Sequence, residues 1–223
     1  YEKIGEEWKH NHFTGQPSVP QLARPAWINW FRDEDFLSVL NLNTAEGSAQ
    51  REVIPLTEKT DQVLLTFSFD YDYVEFPNEV LLYLTGEFEE KRPFASVFWR
   101  TPDGREITLE NTAIDPETAY SMEESVPYYQ LLDEHPEWRE WFDPRDSKSP
   151  PVHHLLFAVP GVEEPRVLPG RYELVVDGLI FEDEGDINGE LTLLGQVYGA
   201  AGTDFYRRDL LVPLLWGMPF ALI

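Results

Sequence analysis

Residues 63 to 73 read Val-Leu-Leu-Thr-Phe-Ser-Phe-Asp-Tyr-Asp-Tyr, a stretch in which apolar and polar side chains alternate. A period of two places alternate residues on opposite faces of an extended chain, so the pattern predicts a half-buried antiparallel strand. One face carries the apolar side chains of Leu65, Phe67, Phe69, Tyr71 and Tyr73. We interpret this face as part of a core; if exposed, the same side chains would form a platform for sugars.

Further strands are predicted on both sides of this stretch. They comprise Glu79 to Gly86, Ala95 to Arg100, Arg105 to Leu109, Val152 to Val159, Arg171 to Phe181 and Glu190 to Tyr198. Pro102-Asp103-Gly104 is a turn signal and predicts a hairpin between the second and third of these strands. Several strands separated by turns predict a mainly β protein, an antiparallel β-sandwich.

Two regions of the chain are expected to depart from this β pattern. Asp115-Pro116-Glu117 reads as a helix start, because proline is favoured at the first helical position, and it predicts a helical insertion near residues 115–142. A C-terminal helix is predicted after residue 209. The expected organisation is an N-terminal arm at residues 1–36, a sandwich domain at residues 37–201, and a distinct C-terminal segment at residues 202–223.

Composition narrows the possible functions. The chain has 223 residues, with 17 Lys and Arg against 41 Asp and Glu, a formal charge of −24, and no cysteine. The absence of cysteine excludes disulfides, thiol catalysis and cysteine zinc sites. A strongly acidic surface repels nucleic acid and suits the outer side of a membrane better than a cytoplasmic loop.

The C-terminal segment divides into a polar part and an apolar part. Residues 202–209 read Gly-Thr-Asp-Phe-Tyr-Arg-Arg-Asp, and residues 210–223 carry no charged side chain. The uncharged run is shorter than the about 20 apolar residues that span a bilayer. We therefore interpret it as the beginning of a membrane helix, and we expect it to fold back on the domain or pack on a neighbouring copy in solution.

The polar part resembles a signature of the permease subunits of ABC importers of the dipeptide, oligopeptide and nickel type, Gly-Thr-Asp-x-x-Gly-Arg-Asp. The matching residues are Gly202, Thr203, Asp204, Arg208 and Asp209, followed by Leu214, Leu215 and Gly217 in the apolar run. Arg207 stands where the family has a glycine, which permits a positive φ that arginine resists. Pro25-Ala26-Trp27-Ile28-Asn29 is similar to a Pro-x-Trp-x-Asn stretch that follows the first membrane helix in some members.

The resemblance implies a non-catalytic extracytoplasmic domain of a permease, inserted between the first two membrane helices. It implies localisation at the cell membrane, no cofactor, and a transported peptide or similar solute. The implied partners are a second permease subunit, cytoplasmic ATPase subunits and an external solute-binding protein. The domain would dock that protein or shield the translocation entrance, and both of its ends would lie on the same side.

The motif also has a purely physical interpretation. Thr203 or Asp204 is suited to accept hydrogen bonds from the free N–H groups at a helix start. Arg208 is placed to pair with Asp204 four residues away, and Asp209 would lie in an early helical turn, where negative charge is favourable. The motif is then a clamp at the membrane surface and not a solute-binding site.

Other candidate sites are weaker. Asp183, Asp186, Asn188 and Glu190 offer oxygen ligands for calcium, although their spacing does not match an EF-hand and a solvated acidic turn is favoured. The histidine candidates for metal binding are His10 with His12 and the His153-His154 pair. Asp70, Asp72, Glu75 and the acids at 123, 124, 133 and 134 are candidate hydrolase carboxylates. The main alternative function is a carbohydrate-binding or lectin-like β-sandwich.

Overall fold

The computed structural model describes residues 18–116, 118–121, 136, 139, 151–160, 162 and 165–215. In chain order these residues form a 3-10 helix (Ala26–Phe31), β1 (Val39–Asn43), β2 (Gln50–Thr57), β3 (Thr60–Tyr71), β4 (Glu79–Glu87), β5 (Phe94–Arg100), β6 (Glu106–Ala113), β7 (Thr118–Ser121), α1 (Val152–Phe157), β8 (Gly170–Ile180) and β9 (Asp186–Leu194). They divide into two compact units. Unit 1 contains residues 18–40, 73–79 and 193–215, and unit 2 contains the described residues within 41–72 and 80–192.

The strands form two antiparallel sheets, which confirms the predicted mainly β, sandwich-like fold. One sheet has the order β1-β9-β4-β7 and the other has the order β2-β3-β8-β5-β6. The predicted strand at residues 63–73 is β3, which pairs with β8 from Asp61 opposite Ile180 to Tyr71 opposite Gly170. Its apolar face is buried as predicted, with Leu65, Phe67 and Tyr71 fully inaccessible to solvent.

The two sheets approach closely at Gly189 in β9. A Cβ atom added there would lie 3.0 Å from Phe67, 3.1 Å from Leu65 and 3.1 Å from Leu84, which is tighter than ordinary contact. A side chain at position 189 would therefore push against residues of both sheets. Burial of the β3 face between the sheets stabilises unit 2, since apolar burial contributes about 25 cal/mol per Å².

An aromatic cluster fills one end of this core. The ring of Phe157 lies 4.8 Å from Tyr71, 4.9 Å from Tyr172 and 5.1 Å from Trp99, centroid to centroid. The ring of Phe69 stacks on Tyr172 at 5.8 Å. These side chains come from β3, β5, β8 and α1, so the cluster joins three neighbouring strands to the helix.

Two of the polar groups in the cluster, those of Trp99 and Tyr172, donate to backbone carbonyls. The Trp99 indole N–H donates to the carbonyl of Leu156 at 3.0 Å. The Tyr172 hydroxyl donates to the carbonyl of Leu168 at 2.6 Å, and burial raises the pKa of this hydroxyl well above its ordinary value. A tyrosine near a strand start, bonded to the backbone a few residues upstream, is the tyrosine corner of β-sandwich proteins.

The prediction of a strand at Val152 to Val159 is wrong. Residues 152–157 form α1, and only Ala158 makes a bridge, to Val167. A short apolar run fits a buried helix as well as a buried strand, and periodicity does not distinguish them. Pro151 precedes the helix with φ −57°, a position where its missing N–H costs nothing, and the helix delivers Phe157 to the aromatic cluster.

The prediction of a helix starting at Asp115-Pro116 is also wrong for residues 118–121, which the structure describes. Residues 118–121 form β7, which pairs with β4 from Thr118 opposite Leu84 to Ser121 opposite Leu81. Pairing with a neighbouring strand overrides the local proline signal. The rest of the predicted insertion, apart from residues 136 and 139, lies outside the described residues.

The remaining strand predictions differ from the structure mainly at their ends. The hairpin of β5 and β6 is confirmed, with Arg100 opposite Glu106 around the predicted turn, and β6 continues to Ala113. The strand predicted at Glu190 to Tyr198 is β9, which begins at Asp186 and ends at Leu194. The start of β9 was missed because its first residues are acidic or polar, although its buried positions begin at Ile187.

Candidate functional site

The five motif residues are brought together in one tight turn of unit 1. Gly202 has φ +77°, in the left-handed region that favours glycine. A Cβ atom at this position would clash with the carbonyl oxygen of Ala23. Both the backbone angle and the close approach therefore require glycine here.

Thr203 joins the motif to the N-terminal segment. It is 4% exposed, and its backbone N–H donates to the carbonyl of Ala23 at 3.0 Å. Its hydroxyl accepts the N–H of Ala23 at 2.8 Å and donates to the carbonyl of Pro20 at 2.7 Å. A buried hydroxyl with both roles satisfied is costly to remove, because its partners would be left without hydrogen bonds.

Asp204 closes the turn on itself. Its carboxylate accepts the backbone N–H groups of Tyr206 and Arg208, each at 2.9 Å, and contacts the Arg208 guanidinium at 2.6 Å. Burial alone would raise the pKa of Asp204, but the hydrogen bonds and charge of Arg208 outweigh it and hold the pKa below its ordinary value. The predicted pairing of Arg208 with Asp204 is confirmed, although it forms in a turn and not on a helix.

Asp209 caps the start of the C-terminal helical segment, a role that we predicted for Thr203 or Asp204. It makes a β-bridge with Thr203, and its carboxylate accepts the N–H of Leu211 at 2.8 Å. Residues 211–215 are helical, so the carboxylate lies at the start of this helical segment, where it satisfies a free donor and suits the dipole. The helix start is therefore five residues later than the Asp204 position that we also considered.

Arg207, the residue that departs from the permease signature, has φ +59°. This is the left-handed conformation that a glycine adopts without strain. The Arg207 guanidinium contacts both oxygens of Glu79, at 2.8 and 2.7 Å, and donates to the carbonyl of Val19 at 2.8 Å. Sequence reasoning missed Glu79, because a partner 128 positions away leaves no local signal.

The second stretch that carries the resemblance, Pro25 to Asn29, lies beside the turn. The N–H of Ala26 donates to the carbonyl of Gly199 at 2.8 Å, and the Trp27 indole donates to the carbonyl of Ala200 at 3.1 Å. Asn29 exchanges two hydrogen bonds with the backbone of Phe36, at 3.0 and 3.2 Å. The tryptophan and the asparagine thus hold the N-terminal segment in place.

In the described part of the apolar run, residues 210–212 are half-buried and residues 213–215 are exposed, and packing on a neighbouring copy stays a prediction. Leu214 and Leu215 are 60% and 54% exposed. Residues 216–223 lie outside the described residues. Among the helices that the structure describes, none has the length and apolar character needed to cross a membrane.

The calcium candidates are engaged in other contacts. Asp186 forms an ion pair with Arg51, and Asn188 donates to Asp186 at 2.8 Å. Glu190 accepts hydrogen bonds from the amides of Asn41 and Asn43, and Asp183 is exposed. Within the described ranges, no three His, Cys, Asp or Glu side chains form a group suited to a metal.

The other candidates are also dispersed. His153 is fully buried, with its ring 4.8 Å from that of His154, whereas His10 and His12 lie outside the described residues, as do the acids at 123, 124, 133 and 134. Asp70 and Asp72 are exposed beside β3. Where the structure describes carboxyl groups with clearly shifted pKa values, namely Asp103, Glu182 and Asp204, each pKa is lowered, whereas a hydrolase acid needs a raised one.

No protein-family model matches this chain, and no curated protein sequence matches it. The geometry of the turn assigns clear structural roles to Gly202, Thr203, Asp204, Arg208 and Asp209. The arrangement positions backbone and charge, and it contains no nucleophile paired with a base. Chemically, the turn is suited to joining two distant chain segments at the start of a helix.

Proposed function

We propose that this chain is the extracytoplasmic domain of a permease subunit of a dipeptide, oligopeptide or nickel-type ABC importer, and that its role is non-catalytic. The observation that carries the proposal is the backbone of the motif turn. Arg207 has φ +59° at the position where the permease signature has glycine. A backbone that suits glycine at that position supports the resemblance at the level of structure as well as sequence.

The meeting of two distant segments gives further support. Trp27 belongs to one of the stretches that carry the resemblance, and its indole is hydrogen-bonded across 173 positions of sequence to Ala200, two residues before the other stretch. A domain inserted between two membrane helices leaves and re-enters the same membrane, so its flanking segments must lie close together. The hydrogen bonds that join residues 22–27 to residues 199–204 of unit 1 support the proposal on this point.

The acidic surface suggests how such a domain would act. The described part of unit 2 contains 20 Asp and Glu against 9 Lys and Arg. Such a surface attracts a partner with a complementary basic patch and accelerates their encounter. In this proposal unit 2 docks the external solute-binding protein, or shields the translocation entrance, while peptides or similar solutes pass to the permease pore.

Topology labelling tests the membrane arrangement directly. The chain has no cysteine, so a single cysteine introduced at exposed Glu58 provides one labelling site. In intact cells carrying the full-length gene product, E58C should react with a membrane-impermeant maleimide. The matched control is a cysteine in a cytoplasmic segment of the same gene product, which should react only after lysis. Protection of E58C until lysis contradicts the proposal.

Co-purification tests the partners. The full-length product, extracted in mild detergent, should retain ATPase subunits and a second permease subunit. Its association with the solute-binding protein should weaken as salt rises, since screening reduces the attraction between charged surfaces. Purification without any transporter subunit, together with glycan-array binding that depends on exposed aromatic residues, would favour the carbohydrate-binding alternative. The β3 aromatic face is buried in the core and does not provide such a platform.

A further inference from the structure

The 3-10 helix of unit 1 exposes an unusual set of aromatic side chains. Trp30 is 82% exposed, Phe31 is 79% exposed, and Trp27 is 44% exposed. No residue of this helix is buried. The Trp27 ring meets Phe31 edge to face at 6.2 Å, so at least two of these side chains form a small aromatic cluster. Aromatic residues at this level of exposure contribute little to a folded core.

A second exposed set lies at the tip of the motif turn. Phe205 is 61% exposed and Tyr206 is 49% exposed, with their rings 5.5 Å apart. The segment that carries the first set is hydrogen-bonded to this turn: the N–H of Leu22 donates to the carbonyl of Asp204 at 3.2 Å. Leu22 is itself 65% exposed. Two chain segments joined by hydrogen bonds therefore present aromatic and aliphatic side chains to solvent.

The charge of unit 1 distinguishes it from unit 2. Its described residues include four Arg and seven Asp or Glu, compared with 9 basic and 20 acidic residues in the described part of unit 2. The described residues of unit 1 therefore carry a formal charge of −3, compared with −11 for those of unit 2. The exposed apolar surface of unit 1 differs from a polybasic membrane-binding patch, which depends on anionic lipid.

The sequence that follows the motif turn is suited to hydrocarbon. The uncharged run from Leu210 to Ile223 follows the turn directly, and Leu214 and Leu215 are exposed within it. Tryptophan and tyrosine concentrate at the boundary between headgroups and acyl chains, because each has an apolar ring and a polar group, and exposed phenylalanine adds apolar area beside them. Lipid accommodates such side chains without the shape complementarity that a protein partner requires.

We propose that Leu22, Trp27, Trp30, Phe31, Phe205 and Tyr206, here called the anchor residues, insert into the headgroup region of a zwitterionic lipid bilayer. This inference rests on the proposed function, because a domain inserted in a permease lies beside a bilayer. It goes further by assigning the contact to unit 1 and by naming the side chains. The acidic unit 2 would remain in water, so anionic lipid should weaken the binding and not strengthen it.

Vesicle flotation tests the proposal with the full 223-residue chain. The chain should float with phosphatidylcholine vesicles, and replacing some of that lipid by phosphatidylglycerol should reduce the bound fraction. W30S/F31S should lower the partition coefficient by about tenfold or more, since each lost aromatic contact removes a substantial apolar transfer term. The matched control is V53S/L56S, which removes two exposed apolar side chains of β2 in unit 2 and should leave partitioning unchanged.

A probe at the proposed contact gives an independent readout. An environment-sensitive fluorophore on F31C should shift to shorter wavelength when vesicles are added, whereas the same fluorophore on E58C should not. Absence of vesicle binding, or an equal loss in V53S/L56S, overturns the proposal. It is likewise overturned if W30S/F31S dissociates a dimer while vesicle partitioning stays the same. External labelling of E58C in cells without vesicle binding would refute only this inference and leave the proposed function standing.

Discussion

The left-handed backbone at Arg207 leads to a prediction in which glycine and alanine differ in a defined direction. An L-residue with a side chain loses about 1 kcal/mol in this conformation relative to glycine. The Arg207 guanidinium offsets this cost through its mostly buried contacts with Glu79 and Val19, which we estimate at about 2 kcal/mol. R207A removes the contacts and keeps the strain. R207G removes both.

R207A should therefore lower the free energy of unfolding by about 2 kcal/mol and R207G by about 1 kcal/mol. The glycine variant should melt about 2–4 °C above the alanine variant, the shift that about 1 kcal/mol gives in a chain of this size. Urea titration followed by tryptophan fluorescence and a thermal melt measure both quantities. E79Q should destabilise the native chain but not R207G, because the guanidinium is already absent from that variant.

Arg166 provides the matched control, since it is exposed and its φ is not positive. At that position alanine should be at least as stable as glycine, because glycine adds entropy to the unfolded chain. The reasoning is refuted if R207G is no more stable than R207A. It is also refuted if the glycine variant is more stable than the alanine variant at Arg166, as it is expected to be at Arg207. Either result would mean that backbone strain at position 207 does not decide the difference.

Three further predictions concern other features of the two units. Gly202→Ala should destabilise the chain by more than about 2 kcal/mol, because it adds a backbone clash to the cost of a positive φ. Gly47→Ala, at a position with φ +77° and open space around it, should cost only about 1 kcal/mol. Thermal melts of the two variants measure the difference. Because folding lowers the pKa of Asp204, its carboxylate stabilises the chain fully above the unfolded pKa near 4, and this stabilisation is lost as the pH falls through the lower folded pKa. D204N should therefore flatten the dependence of the unfolding free energy on pH in that acid range. Urea titrations at each pH measure this dependence. Tyr172→Phe should cost about 1 kcal/mol by removing the 2.6 Å bond to Leu168 while keeping the ring packing, and an equal melting temperature in the variant would show that this bond contributes nothing.

Hydrophobic periodicity predicted the elements whose secondary structure and buried face follow from their own local sequence. β3 alternates between apolar and polar side chains from Leu65 to Tyr71, so its buried face could be predicted from the sequence. The Pro102-Asp103-Gly104 turn and its hairpin were predicted for a similar local reason. In contrast, residues 152–157 read Val-His-His-Leu-Leu-Phe, a run too short for its period to distinguish a helix from a strand, and the structure shows it as a helix that contacts Trp99 and Tyr172.

The candidate site was predicted in part. The sequence identified the five motif residues and the pairing of Asp204 with Arg208, because these partners are four positions apart. It did not predict that Glu79 would pair with Arg207, or that Thr203 would be held by Pro20, since both contacts join distant segments. The local sequence also gives no measure of exposure, so it did not show that Trp30 lies at the surface and not in the core.

The hydrogen bonds between Ala23 and Thr203 also constrain when unit 1 can fold. They connect positions 180 residues apart, so the N-terminal segment must wait for the motif to be synthesised. At translation rates of about 5–20 residues per second, this delay is roughly 10–40 s. During that time Trp27 of the 3-10 helix lacks its hydrogen-bond partner, the carbonyl of Ala200. A nascent chain of this kind is exposed to chaperones and to premature association for longer than one whose contacts are local.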